Sequence, residues 1–119
     1  MREVVGFTPP DPLISESVWT RLVIDIAQTL GWRANHQRPA QTTSGRWMTA
    51  TAGNTGFPDL CLAHAEHGAV FAELKSAKGR LGPEQFAWRD VLLAGGQRWY
   101  LWKPVDFAEV IDVLSGKSA

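Results

Sequence analysis

Three ionisable side chains, Asp59, Glu73 and Lys75, have types and a spacing that could support chemistry. Two strand-like runs flank the turn-forming residues 65–68 and predict a β-hairpin. Side chains alternate between the two faces of a strand, so Glu73 and Lys75 share a face about 7 Å apart along the chain. A turn centred within residues 65–68 brings Asp59 opposite Glu73 or one step from it. The sequence therefore predicts two carboxylates and one ammonium at one end of a hairpin.

This group of side chains suits the hydrolysis of a phosphodiester. Two carboxylates at close range repel each other, and a divalent cation removes that repulsion. Mg²⁺ prefers oxygen ligands and keeps several waters, and a bound metal polarises a phosphoryl oxygen. Lys75 could orient water or stabilise the charge that develops on the phosphate. The alternative is that Asp59 caps a turn while Glu73 and Lys75 form a solvated pair of little energetic weight.

The surrounding sequence resembles the VRR-NUC branch of the PD-(D/E)XK nucleases. The resemblance is carried by the order of residues 56–60 (GFPDL), 72–76 (AELKS) and 78–85 (KGRLGPEQ), followed by a tryptophan and the aromatic strand 99–102 (WYLW). It extends over about residues 15–114. It implies a restriction-endonuclease-like PD-(D/E)XK core, with a central mixed β-sheet flanked by helices.

The same resemblance implies a metal centre and a catalytic lysine. Asp59 and Glu73 would be metal ligands, the main-chain carbonyl of Leu74 would be a further ligand, and Lys75 would be the catalytic lysine. We expect Mg²⁺ as the metal, with Mn²⁺ as a substitute, and no small-molecule cofactor.

Glu16 and Gln85 each have two interpretations. Glu16 begins a predicted helix, where a carboxylate commonly interacts with the helix dipole, whereas the resemblance places an acidic residue of the first helix beside the metal. Gln85 lies in the first turn of a later helix, where glutamine often caps the N-terminus. The resemblance instead matches it to a glutamine that contacts the active-site water or a phosphate. We therefore expect Glu16 to be a metal ligand and both residues to belong to the catalytic group.

The distribution of charge suggests a DNA partner. Twelve basic and twelve acidic residues give no net charge, which argues against binding nucleic acid by bulk charge. The stretch from Arg33 to Arg80 nevertheless holds six basic and three acidic residues, a local field suited to a phosphate backbone. The residues we expect to contact DNA are Lys78 and Arg80, together with Arg38, Arg46 and Trp47 on a long polar loop.

The elements that must position these residues can be read from the hydrophobic pattern. The 119 residues suit one domain, and we assign residues 1–14 to an arm, 15–115 to the nuclease domain and 116–119 to a tail. The expected α/β (α+β) order is α-β-β-β-α-β-α. Helices are predicted over residues 16–30, 83–94 and about 107–114, strands over 32–37, 59–64, 69–75 and 98–103, and a loop over 38–57.

The resemblance implies a metal-dependent endonuclease. Because free-standing VRR-NUC proteins resemble Holliday-junction resolvases, and because a small domain needs a second copy to hold branched DNA, we expect a homodimer that is selective for branched DNA such as four-way junctions. Two alternatives stay open: a DNA-binding or interaction module of the same fold that does not cleave, and a restriction-type nuclease acting with a partner chain. The single cysteine and the lack of a long apolar run predict a cytoplasmic protein without a membrane partner. The resemblance, whose free-standing members are often phage-encoded, implies a bacterium or a phage-infected cell.

Overall fold

The computed structural model of the chain describes residues 6–37, 40–41, 47–48 and 52–117. Its helices and strands, in chain order, are α1 (Glu16–Thr29), β1 (Arg33–His36), β2 (Ala40–Gln41), β3 (Trp47–Met48), β4 (Leu60–His64), β5 (Gly68–Leu74), α2 (Pro83–Ala94), β6 (Arg98–Trp102), a 3₁₀ turn (Pro104–Asp106) and α3 (Phe107–Leu114). This confirms the predicted order, with β2 and β3 added inside the segment predicted as a loop. None of the helices in the described part of the chain is long and apolar enough to cross a membrane.

The fold is an α+β domain built on one mixed four-stranded sheet. The strands lie in the order β1-β4-β5-β6, and β2 pairs separately with β3. The pairs β1–β4 and β4–β5 are antiparallel, whereas β5 and β6 are parallel. A parallel pair needs a crossover connection, and α2 supplies it. The coarse architecture of a mixed sheet with three helices therefore agrees with the predicted class.

One face of the sheet carries the hydrophobic core. Val70, Ala72 and Leu74 alternate along β5, and all three are fully buried against α1 and α3. Trp19 of α1 is also fully buried, and its indole N–H donates to the carbonyl of Trp102 at 2.9 Å. The predicted apolar face of β5 is confirmed, and its other face must therefore carry Glu73.

Helix α2 covers the second face of the sheet. No residue of α2 is fully buried, so the helix packs on the sheet with one side exposed to solvent. Phe57 links the two layers through edge-to-face ring contacts, with centroid distances of 6.1 Å to Phe71 and 5.0 Å to Trp88. Aromatic pairs in this geometry stabilise a small second core. This core lies beside the strand ends that hold the ionisable residues.

Residues of both the predicted arm and the predicted tail contact the domain. Phe7 and Ile14, from the predicted arm, pack against the core. At the other end, a Cβ added to Gly116 would lie 2.6 Å from Nε2 of His67. The described parts of the arm and the tail therefore contact the domain.

Candidate active site

The register of the β4–β5 hairpin brings Asp59 and Glu73 together. Leu60 pairs with Ala72 at the end of the ladder, so one further step places Asp59 opposite Glu73. Oδ2 of Asp59 accepts a hydrogen bond from the main-chain N–H of Leu74 at 3.0 Å. The predicted register is confirmed, and the Asp59 carboxylate is held beside the main chain of Leu74.

The segment leading into Asp59 is fixed by its close approach to α2. Gly56 has a φ of +86°, and a Cβ added there would lie 2.6 Å from Cβ of Glu84. Only glycine satisfies both conditions without strain. Pro58, which follows, is buried. The GFPD segment therefore sets the position of Asp59 relative to the first turn of α2.

Glu73 is a buried carboxylate that lacks part of its hydrogen bonding. Its side chain is fully buried, and Oε1 accepts a hydrogen bond from Nε2 of Gln85 at 3.2 Å. Oε2 has no hydrogen-bond partner among the described residues. The pKa of Glu73 is raised to about 8, first by burial and then by the charge of Asp59, against the opposing charge of Lys75. The interpretation of Glu73 as a solvated surface residue is therefore wrong.

An orphaned buried carboxylate oxygen is costly to the fold, and a bound cation removes that cost. Asp59 and Glu73 offer oxygen ligands at one strand end, and the main-chain N–H of Leu74, the residue after Glu73, donates to Asp59. Mg²⁺ is commonly held by one or two carboxylates, with waters completing its octahedron. The residues present therefore fit a hard divalent cation, which these two side chains would hold.

Lys75 follows Glu73 by two residues and lies on the same face of the chain. It is half-buried, and its main-chain N–H donates to the carbonyl of Trp102 at 3.1 Å, just beyond the β5–β6 ladder. A Cβ added to Gly79 would lie 2.9 Å from Cβ and 3.2 Å from Cδ of Lys75. Gly79 therefore packs directly on the aliphatic part of the lysine. This contact was not predicted from the sequence, although a glycine between two cations, Lys78 and Arg80, just after a strand could have suggested it.

Glu16 lies within electrostatic range of the same site. The pKa of its carboxyl group is raised, chiefly by partial burial, while the Lys75 ammonium lowers it and the Asp59 carboxylate raises it. The first turn of α1 begins at the N-cap Ser15, whose Oγ accepts from the N–H of Val18 at 3.2 Å. This cap fixes the start of α1 at Glu16, whose carboxyl group interacts electrostatically with Lys75 and Asp59.

Gln85 caps α2 and also contacts Glu73, while its contact with an active-site water or a phosphate stays a prediction. Its Oε1 accepts a hydrogen bond from the N–H of Gly82 at 2.9 Å, which caps the start of α2. Its Nε2 donates to Glu73. The cap therefore fixes the orientation of the amide, so that its NH₂ group is directed at the buried carboxylate.

The three carboxylates do not form a closed metal cage. Among the residues that the structure describes, no group of three or more His, Cys, Asp or Glu side chains is arranged to hold a metal ion. Asp59 and Glu73 stand as a pair, and Glu16 interacts with this pair at longer range. A role for Glu16 as a ligand stays a prediction.

The predicted DNA contacts are only partly described. Lys78 and Arg80 are exposed on the turn after β5, on either side of Gly79. Arg38 and Arg46 lie outside the described residues, and Trp47 is described only as part of the short strand β3. The structure therefore places two of the five predicted DNA contacts beside Lys75.

Comparison with known proteins leaves the family open. No protein-family model matches the chain, and neither a curated protein nor a solved structure is significantly similar to it. The resemblance to VRR-NUC nucleases therefore stays a prediction that rests on the residues quoted above.

Proposed function

We propose that this chain is a metal-dependent, structure-selective DNA endonuclease with a PD-(D/E)XK core of the VRR-NUC type. The observation that carries the proposal is the buried Glu73 carboxylate, whose Oε2 has no partner among the described residues. Asp59 stands opposite Glu73, and Lys75 follows two residues later. Two carboxylates and one amine at a strand end form a donor set that suits phosphodiester hydrolysis.

Mg²⁺ would be held by Asp59 and Glu73, with the carbonyl of Leu74 and Glu16 as further ligands, and Mn²⁺ could replace it. When bound, the metal would polarise the phosphoryl oxygen and make a bound water more acidic. No small-molecule cofactor is part of the proposal. The role of Asp59 is supported by the hydrogen bond that its Oδ2 accepts from the N–H of Leu74, because this bond holds the carboxylate at the end of β5.

The chain itself contributes positioning and charge. The Lys75 ammonium stabilises the negative charge that develops on the phosphate, or orients the attacking water, because Gly79 restricts where its side chain can lie. Gln85 holds Oε1 of Glu73 and leaves the other oxygen unpaired. Lys78 and Arg80 bind the DNA backbone on either side of Gly79, and Arg38, Arg46 and Trp47 extend that contact.

A homodimer is part of this proposal, because branched DNA presents two strands to be cut and a two-fold axis supplies two sites. Support comes from α2, which has no fully buried residue and exposes Val91 by 69% and Leu93 by 49%. Sedimentation should report a dimer that Val91→Asp dissociates. Val105 is equally exposed, at 69%, outside α2, so Val105→Asp should leave the dimer intact. A monomeric wild-type chain would contradict this part.

A substrate panel tests the activity. Four-way junction, flap, splayed-arm and linear duplex DNA are incubated with the protein in Mg²⁺ and, separately, in EDTA. We expect cleavage that requires Mg²⁺ and favours a branched substrate. Binding without cleavage would favour a non-cleaving module, and cleavage confined to one sequence would favour a restriction-type enzyme acting with a partner. The proposal also places the protein in the cytoplasm of a bacterium or of a phage-infected cell.

A further inference from the structure

A concave surface lies on the α2 side of the sheet, beside the proposed site. It is a groove of about 470 Å³, and we call it the cationic-aromatic groove. The residues that matter for its chemistry are Arg80, Arg89, Lys103, Phe86, Trp99 and Leu101. Of these residues, only Arg80 has a role that the sequence predicts.

The charged residues of the groove are all cations. None of the described residues that line it is acidic. Arg80 is exposed. Arg89 pairs with Asp90 at 2.8 Å, but the Asp90 side chain is 64% exposed, and such surface pairs are weak enough for a phosphate to replace them. The Lys103 ammonium donates a hydrogen bond to the carbonyl of Ala77 at 3.2 Å, which holds its charge beside the turn after β5.

The remaining surface of the groove is aromatic and apolar. Phe86 is 40% exposed, and the guanidinium of Arg89 lies 4.7 Å from its ring centroid. Trp99 is half-buried, and its indole N–H has no hydrogen-bond partner among the described residues. Cations beside partly exposed aromatic rings are the combination by which proteins hold single-stranded nucleic acid, because phosphates pair with the cations and bases stack on the rings.

The groove adjoins the proposed site through Gly79. This glycine lines the groove and also packs on Lys75. A DNA strand that passes Lys75 would therefore continue directly into the groove. From Trp99 to Lys103 the groove follows β6, the edge strand of the sheet, for about 13 Å. In a duplex, the faces of the bases are covered by their neighbours, so these aromatic rings are useful only to unpaired nucleotides.

We propose that the cationic-aromatic groove binds unpaired nucleotides of the DNA strand next to the cleaved phosphate. Substrates with a single-stranded arm, such as a splayed arm or a flap, would then be preferred over a linear duplex. The preference for cleavage rests on the proposed nuclease function. The binding of a single strand does not, so it can be tested alone.

The test measures binding of fluorescent oligothymidylate, and of a blunt duplex with the same number of phosphates, in Ca²⁺ to prevent cleavage. In the double variant Arg89→Gln/Lys103→Gln, which removes two cations that line the groove and keeps Arg80, we expect oligothymidylate binding to weaken about tenfold, while duplex binding changes by less than about twofold. The slope of log K against log salt should fall by about 1.4, or about 0.7 for each lost phosphate contact. The matched control is Arg33→Gln, because Arg33 lies at the other edge and the other end of the sheet.

A second variant separates stacking from charge. Phe86→Ala should weaken binding of oligothymidylate at least about fivefold, because each stacked base contributes on that scale. Binding of an abasic oligonucleotide of the same length should change by less than about twofold, since it has no base to stack. Phe86 is partly exposed, and circular dichroism should show that the variant is folded.

The outcomes distinguish this inference from the proposed function. If the double variant leaves oligothymidylate binding unchanged, or weakens duplex binding equally, the inference is wrong even if the protein cleaves DNA. If the wild type binds oligothymidylate through these residues but cleaves no substrate in Mg²⁺, the inference stands and the nuclease proposal fails.

Discussion

Replacing Glu73 by glutamine should stabilise the metal-free protein at high pH. In the folded chain the pKa of this carboxyl group is raised from its ordinary 4.5 to about 8, chiefly by burial. Between these two pH values, the folded protein binds a proton that the unfolded chain has released. The stability associated with Glu73 is therefore fully present below pH 4.5 and is lost as the pH rises to about 8.

The size of the effect follows from the same two pKa values. A pKa difference of one corresponds to about 1.4 kcal/mol, so the stability lost relative to low pH is about 2 kcal/mol at pH 6 and about 5 kcal/mol at pH 9. Glutamine has the same shape and no charge, and it can still accept the hydrogen bond from Gln85. Glu73→Gln should thus match the wild type near pH 4.5 and exceed its stability by several kcal/mol at pH 9.

Urea unfolding in EDTA at several pH values between 5 and 9 measures this difference. Glu66→Gln serves as the control, because Glu66 is exposed in the turn between β4 and β5. That variant should differ from the wild type by about the same amount at every pH. Adding Mg²⁺ should stabilise the wild type above pH 7 and leave Glu73→Gln unchanged. A difference between Glu73→Gln and the wild type that does not grow with pH would refute the reasoning.

Two further substitutions test how the site is positioned. Gly79→Ala should lower the rate of cleavage about ten- to a hundredfold, because the added Cβ would lie 2.9 Å from Cβ of Lys75. Gly82→Ala is the control, since its Cβ would meet nothing within 4 Å. Equal rates of cleavage by the two variants would contradict the account. Gln85→Ala should lower the free energy of unfolding by about 1–2 kcal/mol in urea, because it removes a helix cap and a hydrogen bond to a buried carboxylate. A loss no larger than that of Gln97→Ala, at an exposed position after α2, would argue against this role.

The elements with strong local signals could be predicted from the sequence. Ser15 marks the start of α1, and Pro83 and Gly95 bound α2, because capping and the fixed φ of proline act within a few residues. The turn between β4 and β5 sets the register of the hairpin, and with it the approach of Asp59 to Glu73. The helix caps and the hairpin turn each depend on residues close together in the chain, so the sequence alone predicts them.

The contacts between elements could not be predicted in the same way. Strand alternation places Glu73 on the face opposite the core, which suggests a wet surface, yet α2 covers it and makes it fully buried. The approach of Gly79 to Lys75 depends on how the turn after β5 folds back. The pairing of β2 with β3 involves two residues in each strand, too few to give a periodic signal within residues 38–57.

The cationic-aromatic groove illustrates the same limit. Its cations come from the turn after β5, from α2 and from the residue after β6, so no window of sequence contains them. A scan for basic clusters finds Lys78 and Arg80, which are close in sequence, and misses Arg89 and Lys103. The sequence predicts that DNA is bound near Lys75. Only the fold suggests that the DNA strand continues from there into the cationic-aromatic groove.

Mg²⁺-dependent cleavage of a four-way junction by Lys75→Ala, compared with Lys117→Ala, tests the central claim most directly. Lys117 follows Gly116, which packs on His67 at the opposite end of β5 from Glu73. We predict that the wild type and Lys117→Ala cleave at equal rates, and that Lys75→Ala, with an unchanged unfolding transition, does not cleave measurably. Cleavage by Lys75→Ala at the wild-type rate, or wild-type cleavage that persists in EDTA, would contradict the assignment of Asp59, Glu73 and Lys75 as a metal-dependent nuclease site.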